Sequence, residues 1–556
     1  MSIRLKPNFK RTPDLIDILG SYTSAEHALD AGNYYVALLK ARAENKPEIE
    51  SAALIMCGAV QRGLKQPNPG KTPQIAFGHW CLGYKETAVN ILEGQQGFED
   101  LLAFLRMSII NVFILYGPHT RHGVPFQELE GFAVRSVQVE RNQRVSSLSE
   151  MLPKGFKPNT IIVLDIYGHR LPDDLYDFDG PVIFLNYDFD LQLPHQYQDL
   201  QLADLIVVNG AYEHYFLNKI YDCPVTVFPS YPAVTTLPAY PTSFCVSKPA
   251  CSKEIDFLHT GLSFTPNMRE KAQFLFRIAT VDNPDLNIRI HHGYMEDKEY
   301  HTNIDRTKFM PIFCAKMRGS IQTRTIDAIC NGSFVLHGGD DVAIELFEAG
   351  HLAIRKSSPH TLEGDVAHNI STFPKDWQNY IENHQSVTEE LKELFLEPGE
   401  RSTRFLKFCI FEWSQTGYRR KETITRRTTS VVSLQNCLPL ARLADEYSHS
   451  FYSVALFRAT EAAFTLPTNE ERQEIVKSIF QEASTYFPRS IALLFNYARF
   501  LWMIGENDEA CENFQNLVHG LNLHTFEPTR DLVWLNLFQA SSEMMPAQDY
   551  FFALTK

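Results

Sequence analysis

The stretch 308–356, KFMPIFCAKMRGSIQTRTIDAICNGSFVLHGGDDVAIELFEAGHLAIRK, concentrates residue types that can hold a phosphate-bearing molecule. Lys316, Arg318 and Arg324 are cations, and such groups neutralise charge that grows on a departing phosphate. Asp327 is a carboxylate able to accept hydrogen bonds from neighbouring hydroxyls. Gly338, Gly339 and Asp340 read as a turn whose backbone N–H groups can line a pocket. Each residue also has a plainer reading: Asp327 as a helix-surface carboxylate, Arg324 as a salt-bridge partner of another helix. Further upstream, LYGPHTRHG (115–123) places Gly117, His119, His122 and Gly123 just past an apolar run. A histidine there can act as a general base or simply face solvent. Asp188 closes another apolar run, and Gly261, Ser263 and Arg269 follow a third.

These residues need strands that stop and helices that start near them. Between 106 and 418 short apolar runs alternate with helical periodicity, the α/β pattern of buried parallel strands. The runs cover 110–117, 134–140, 159–168, 181–190, 203–210 and 225–230, then 254–263, 287–293, 311–316, 332–340 and 351–356. Helices are expected over 266–280 and 321–331. A Pro-rich linker, 233–253, separates an N-terminal half (106–232) from a C-terminal half (254–418). His259 falls inside a strand and reads as a packed residue.

The ends of the chain are helical in pattern. Ala25, Ala28, Gly32 and Ala37 form one spacing of small residues, and Ala76, His79, Gly83 and Ala88 repeat it. Near the C-terminus Ala498, Leu501, Gly505, Ala510 and Phe514 keep the same steps, with Phe480, Ala483 and Pro488 ahead of them. Small residues allow two antiparallel helices to approach closely, and glycine makes the turn. The pattern resembles tetratricopeptide (TPR) hairpins, which implies an N-terminal TPR-like segment over 1–105 and a C-terminal one over 437–556. The two N-terminal units stand 51 residues apart rather than at the family's step, so the repeats are irregular. Stacked hairpins imply a protein partner. The basic stretch 419–436 reads as a solvated linker.

The segment 308–356 resembles the nucleotide-sugar site of group 1 glycosyltransferases, above all the subgroup related to the spore-maturation protein CgeB. Arg324, Asp327-Ala328, Asn331-Gly332, Ser333 to Leu336, Gly338 to Asp341, Phe347 and Gly350 fall in that family's order. The resemblance implies a GT-B architecture, two Rossmann-like domains in an α/β core, flanked here by all-α TPR-like segments. It implies transfer of a sugar from a nucleotide-sugar donor to a protein or glycan acceptor. Asp327 would hold the ribose; Lys316, Arg318 and Arg324 the diphosphate; Gly338, Gly339 and Asp340 the sugar pocket. Gly261, Ser263 and Arg269 map to the family's donor loop, and Gly117 and Gly123 to the loop near donor and acceptor. Asp188, His119 and His122 are the catalytic candidates. The family often places two glutamates eight residues apart; here the second is Asp327 and Gly319 replaces the first. That departure favours the alternative of a catalytically degenerate sugar-nucleotide-binding scaffold. A third possibility, a sugar-nucleotide epimerase, shares the two-Rossmann fold. Two D-F-D triplets, Asp177 to Asp179 and Asp188 to Asp190, could hold a cation in another transferase fold, but with protein cations available neither a metal nor a cofactor is expected.

Composition narrows the class. The chain has 556 residues, enough for three or four domains at roughly 100–200 residues each. Its net charge of −14 argues against a nucleic-acid partner, which needs Lys and Arg on its phosphates. The 10 cysteines form no C-x-x-C pair, which speaks against a zinc site or disulfide framework. No apolar run is long enough for a transmembrane segment and no secretory signal is visible, so a cytoplasmic protein is expected.

Overall fold

The computed structural model describes 15–66, 71–117, 129–139, 147–164, 174–186, 202–218, 221–228, 253–261, 285–292, 295–314, 323–339, 354–357, 374–387, 398–419 and 504–522, with scattered residues around them. Within these lie two sheets in which every pairing is parallel. The first contains β1 (Ile110–Tyr116), β2 (Phe132–Gln138), β3 (Thr160–Leu164), β4 (Val182–Asn186), β5 (Leu205–Val208) and β6 (Val225–Val227) in the order β2-β1-β3-β4-β5-β6. The second contains β7 (Ile255–Gly261), β8 (Ile288–His292), β9 (Thr307–Cys314), β10 (Phe334–Gly339) and β11 (Ile354–Ser357) in the order β11-β10-β9-β7-β8. Strands β3, β4 and β5 are buried along their whole length, which is why they read as unbroken apolar runs.

Both sheets start from an inner strand. The chain lays its second strand on one side of the first, then reverses and adds the third on the other side. Each sheet therefore has a switch point, between β1 and β3 and between β7 and β9. Ligands of open parallel sheets bind outside the carboxyl ends of the strands at such points.

The N-terminal helices are α1 (Leu15–Gly20), α2 (Ala25–Asp30), α3 (Tyr34–Glu44), α4 (Pro47–Met56), α5 (Val60–Leu64), α6 (Thr72–Cys81), α7 (Lys85–Leu92) and α8 (Glu99–Arg106). The glycines of the repeated spacing make the turns they predict. Gly32 has φ +77° and Gly83 has φ +87°. The residue after each donates back around the turn, Asn33 N to Ala28 O at 2.9 Å and Tyr84 N to His79 O at 2.9 Å. The irregular step between these units has a structural cause: a third hairpin, α4–α5, lies between them. Its Gly58 has φ +100°, and Ala59 N donates to Leu54 O at 2.9 Å. The matching positions are Ser51, Leu54, Gly58 and Gly63, so leucine and serine obscure the small-residue signal. Gly63 is the close-approach residue, because a side-chain carbon there would lie 2.5 Å from Ile55 Cγ1 and 2.7 Å from Ser51 O.

Near the C-terminus the same turn recurs. Gly505 has φ +87°, Glu506 N donates to Leu501 O at 2.9 Å, and Asn507–Asn522 continues as a helix. Ala498, Leu501 and Ala510 are fully buried, and Phe480 stacks on Tyr497 and Phe500 at 5.3 and 5.7 Å. Ala483 and Pro488 lie outside the described residues, as do 437–472 and 523–556.

One long helix, Pro398–Thr416, joins the N-terminal hairpins to the first sheet. The sequence reading groups it with the C-terminal half, but it packs on α6, α8 and β5. Phe405, Phe408 and Phe411 are its buried face, meeting Phe228, Tyr34 and Phe77. Its polar residues reach each hairpin in turn. Arg404 Nη1 donates to Gly58 O at 2.8 Å, and Lys407 Nζ donates to Trp80 O at 2.7 Å. Glu412 accepts from Tyr34 Oη at 2.5 Å and from Thr226 Oγ1 at 2.7 Å. These cations add hydrogen bonds to carbonyls where the helices end and the chain turns.

The first hairpin also closes the sheet. Val227 N donates to Gly32 O at 2.9 Å, so the Gly32 turn covers the edge of β6. A side-chain carbon at Gly32 would lie 2.9 Å from Thr226 Oγ1, whereas none would meet anything within 4 Å at Gly83. Gly83→Ala is expected to cost about 1 kcal/mol from left-handed strain alone. Gly32→Ala adds the collision and should cost about 2 kcal/mol more. Thermal unfolding of the two variants checks the difference; equal losses would mean the turn does not press on the sheet.

Candidate functional site

Two glycines end the first strands of the two sheets. Gly117 follows β1, and its N–H donates to Leu164 O at the end of β3, 3.2 Å away. It therefore bridges the first switch point. Gly261 ends β7 with φ +96°, a conformation that favours glycine. A side-chain carbon there would lie 2.9 Å from Arg324 Cζ and closer still to Nη2. The missing side chain is what admits the guanidinium over the end of β7, beside the second switch point.

Arg324 comes from the helix Thr323–Cys330, which connects β9 to β10. The arginine sits in its first turn, so the positive end of the helix and the guanidinium lie together at the carboxyl edge of the sheet. Asp327, three residues on, shares a helix face with Arg324. It lies one turn into the helix and is only 4% exposed. Its Oδ2 accepts from Tyr300 Oη at 3.0 Å. Tyr300 belongs to the helix Asp297–Asp305 between β8 and β9. Burial pushes its hydroxyl up to about 12, while the Arg324 charge pulls the other way. Arg324, Asp327 and Tyr300 thus form one electrostatic cluster at the end of β7.

Gly338 and Gly339 are the last residues of β10, paired with Phe313 and Cys314 of β9, so they reach the same carboxyl edge. They extend the strand rather than open a turn. His259 is 3% exposed within β7, a packed strand residue. Ser263, Arg269, Lys316, Arg318 and Asp340 lie outside the described residues, as do His119, His122, Gly123 and Asp188. Of the two D-F-D triplets, the first falls at the helical turn Leu175–Asp177 and the second lies outside the described residues.

Tyr300 carries no motif, and only its place on a helix facing Asp327 reveals it. The first sheet holds polar residues that sequence reasoning also misses. Asn186 ends β4 and is fully buried. Asn209 and Glu213, just past β5, are 2% and 1% exposed, and with its amide turned Asn209 donates to both Glu213 oxygens at 3.1 and 3.2 Å.

No helix among the described residues is long and apolar enough to cross a membrane. No protein-family model matches the chain, and no curated protein does. The solved structures that align with it include two glycosyltransferases. An alpha-glucosyltransferase in complex with UDP-glucose and DNA containing an abasic site is 13% identical, with 51% of this chain and 95% of that chain covered at a TM-score of 0.33. A mutant of the Thermobaculum terrenum O-GlcNAc transferase is 10% identical, with 75% of this chain and 100% of that chain covered at a TM-score of 0.30.

Proposed function

We propose that the chain is a glycosyltransferase that moves a sugar from a nucleotide-sugar donor to a protein or glycan acceptor. The observation that carries this reading is the Gly261–Arg324–Asp327–Tyr300 cluster at the switch point of the second sheet. An arginine over a glycine strand end, next to a helix start, suits a diphosphate. A carboxylate beside it suits the ribose hydroxyls. Lys316 and Arg318, with Ser263 and Arg269, would complete the donor side.

In the reaction the bond between the sugar C1 and the diphosphate oxygen breaks, and its electron pair leaves with the nucleoside diphosphate. A bond forms between C1 and the acceptor oxygen. The acceptor's proton passes to a base, a role open to Asp188, His119 or His122. Arg324 stabilises the charge that develops on the leaving diphosphate. The helical hairpins recruit the acceptor or a partner protein.

The degenerate-scaffold alternative rests on the replacement of the family's two glutamates by Gly319 and Asp327. A thermal-shift panel of UDP-, GDP-, ADP- and CMP-sugars tests both readings. A donor should raise the melting temperature of the chain but not of Asp327→Ala. Slow hydrolysis of that donor identifies the enzyme; binding without turnover identifies the scaffold. If no nucleotide sugar shifts the melting temperature at millimolar concentration, the donor site itself is wrong.

A further inference from the structure

Tyr300 and Asp327 belong to different helices, and the 3.0 Å hydrogen bond between them is their meeting point at the carboxyl edge of the second sheet. A buried carboxylate on a one-carbon stem can fail in two ways. It can rotate away from its ligand, or it can take up a proton, because burial disfavours the charged form. A donor fixed to one oxygen prevents both. We infer that Tyr300 is the positioning residue of this site: its hydroxyl holds the Asp327 carboxylate in the orientation and ionised form that the hydroxyls of a nucleotide ribose require.

The inference rests on the donor-site reading above and deepens it. Tyr300 donates to one of the two carboxylate oxygens, Oδ2, and so fixes the plane of the group. The phenol is suited to the task because it stays protonated up to about 12, so it donates throughout the physiological range. The glutamate-to-aspartate departure is consistent with this arrangement. A shorter stem sits deeper, and Asp327 is 4% exposed, so a side chain from the neighbouring helix can reach it. Tyr300 touches the carboxylate and acts on the ligand only through it.

Calorimetric titration of UDP, GDP and ADP into the full chain, between pH 5.5 and 8, tests the assignment with the chain itself, Tyr300→Phe, Asp327→Asn and Asp327→Ala. The unaltered chain should bind one nucleotide with little pH dependence over this range. Tyr300→Phe should bind it about tenfold more weakly at pH 7.5, the worth of one hydrogen bond to a charged group. Its affinity should fall further towards pH 5.5, because the buried carboxylate has lost a donor that favours its ionised form. Asp327→Asn should be weak at every pH. Two results overturn the inference while leaving the donor site standing: Tyr300→Phe binding within twofold of the unaltered chain, or a loss of the same size at every pH, which marks Tyr300 as a tie between helices. Absence of any nucleotide binding by the unaltered chain overturns the donor site and this inference with it.

Discussion

Gly261→Ala is expected to weaken nucleotide binding about 100-fold, as much as Arg324→Ala does, and the double variant should be no weaker than Arg324→Ala alone. The alanine methyl would have to occupy the space that the guanidinium now fills, so the Arg324 head group must shift from its place against the end of β7. Two charge-assisted hydrogen bonds to a phosphate, each worth about 1.5–3 kcal/mol, account for an effect of this order. The strain of alanine at φ +96° adds a stability loss of about 1–2 kcal/mol, visible as a lower melting temperature without ligand. Non-additivity is the decisive reading: two substitutions that break the same contact cannot each exact their full loss. Additive losses in a titration series of the four proteins would show that Gly261 and Arg324 act separately. Binding by Arg324→Ala at the unaltered affinity would remove the arginine from the site.

The strands and the turns of the hairpins were legible because each has a local cause. Runs such as TIIVL at 160–164 are buried on both faces and so carry no polar alternation. Gly32, Gly83 and Gly505 adopt the left-handed conformation that few other residues take, so their spacing announces the turn. The middle hairpin was not legible, since Ser51 and Leu54 stand where its neighbours have alanine or histidine and only Gly58 and Gly63 keep the rule. In the site, Arg324, Asp327 and Gly261 were visible as residue types in a family-like order. Their mutual placement was not, because Gly261 and Arg324 meet only when β7 and the helix after β9 share a switch point. Tyr300 was invisible for the same reason, as DKEYHTNID has no feature that marks its fourth residue. The attachment of Pro398–Thr416 to the N-terminal hairpins is a long-range result as well: Arg404, Lys407 and Glu412 find partners more than 180 residues away in sequence.

Among the buried titratable groups where the hairpins meet the first sheet, Glu412 of this helix and His214, just past β5, should oppose each other in pH dependence. Glu412 is 5% exposed, held between Tyr34 and Thr226, with the Cys409 thiol near; burial pushes its carboxyl up from 4.5 to about 7. His214 is fully buried, and burial lowers it from 6.5 to about 4. Its Nε2 lies 2.6 Å from Ala31 O, which can only accept, so the proton sits there and Nδ1 accepts from Tyr22 Oη at 2.9 Å. The raised acid contributes stability fully below about 4.5, and that stability is lost as the pH rises to about 7. The depressed histidine contributes stability fully above about 6.5, and that is lost as the pH falls to about 4. Each swing is on the order of 3 kcal/mol at about 1.4 kcal/mol per pKa unit, so between pH 4.5 and 6.5 they largely cancel. Glu412→Gln breaks the balance without breaking the contacts. Its amide oxygen can accept from Tyr34, and its amide N–H can donate to Thr226 Oγ1, which then turns its own proton to Gly32 O, 3.4 Å away. Melting temperature measured against pH should therefore rise more steeply from pH 4.5 to 6.5 in Glu412→Gln than in the unaltered chain, and the variant should be the more stable at pH 7.5. His214→Gln should show the opposite slope, falling as the pH rises through the same window. Parallel curves for all three proteins would mean that neither group changes charge on folding, and that the seam between hairpins and sheet is held by Phe405, Phe408 and their neighbours alone.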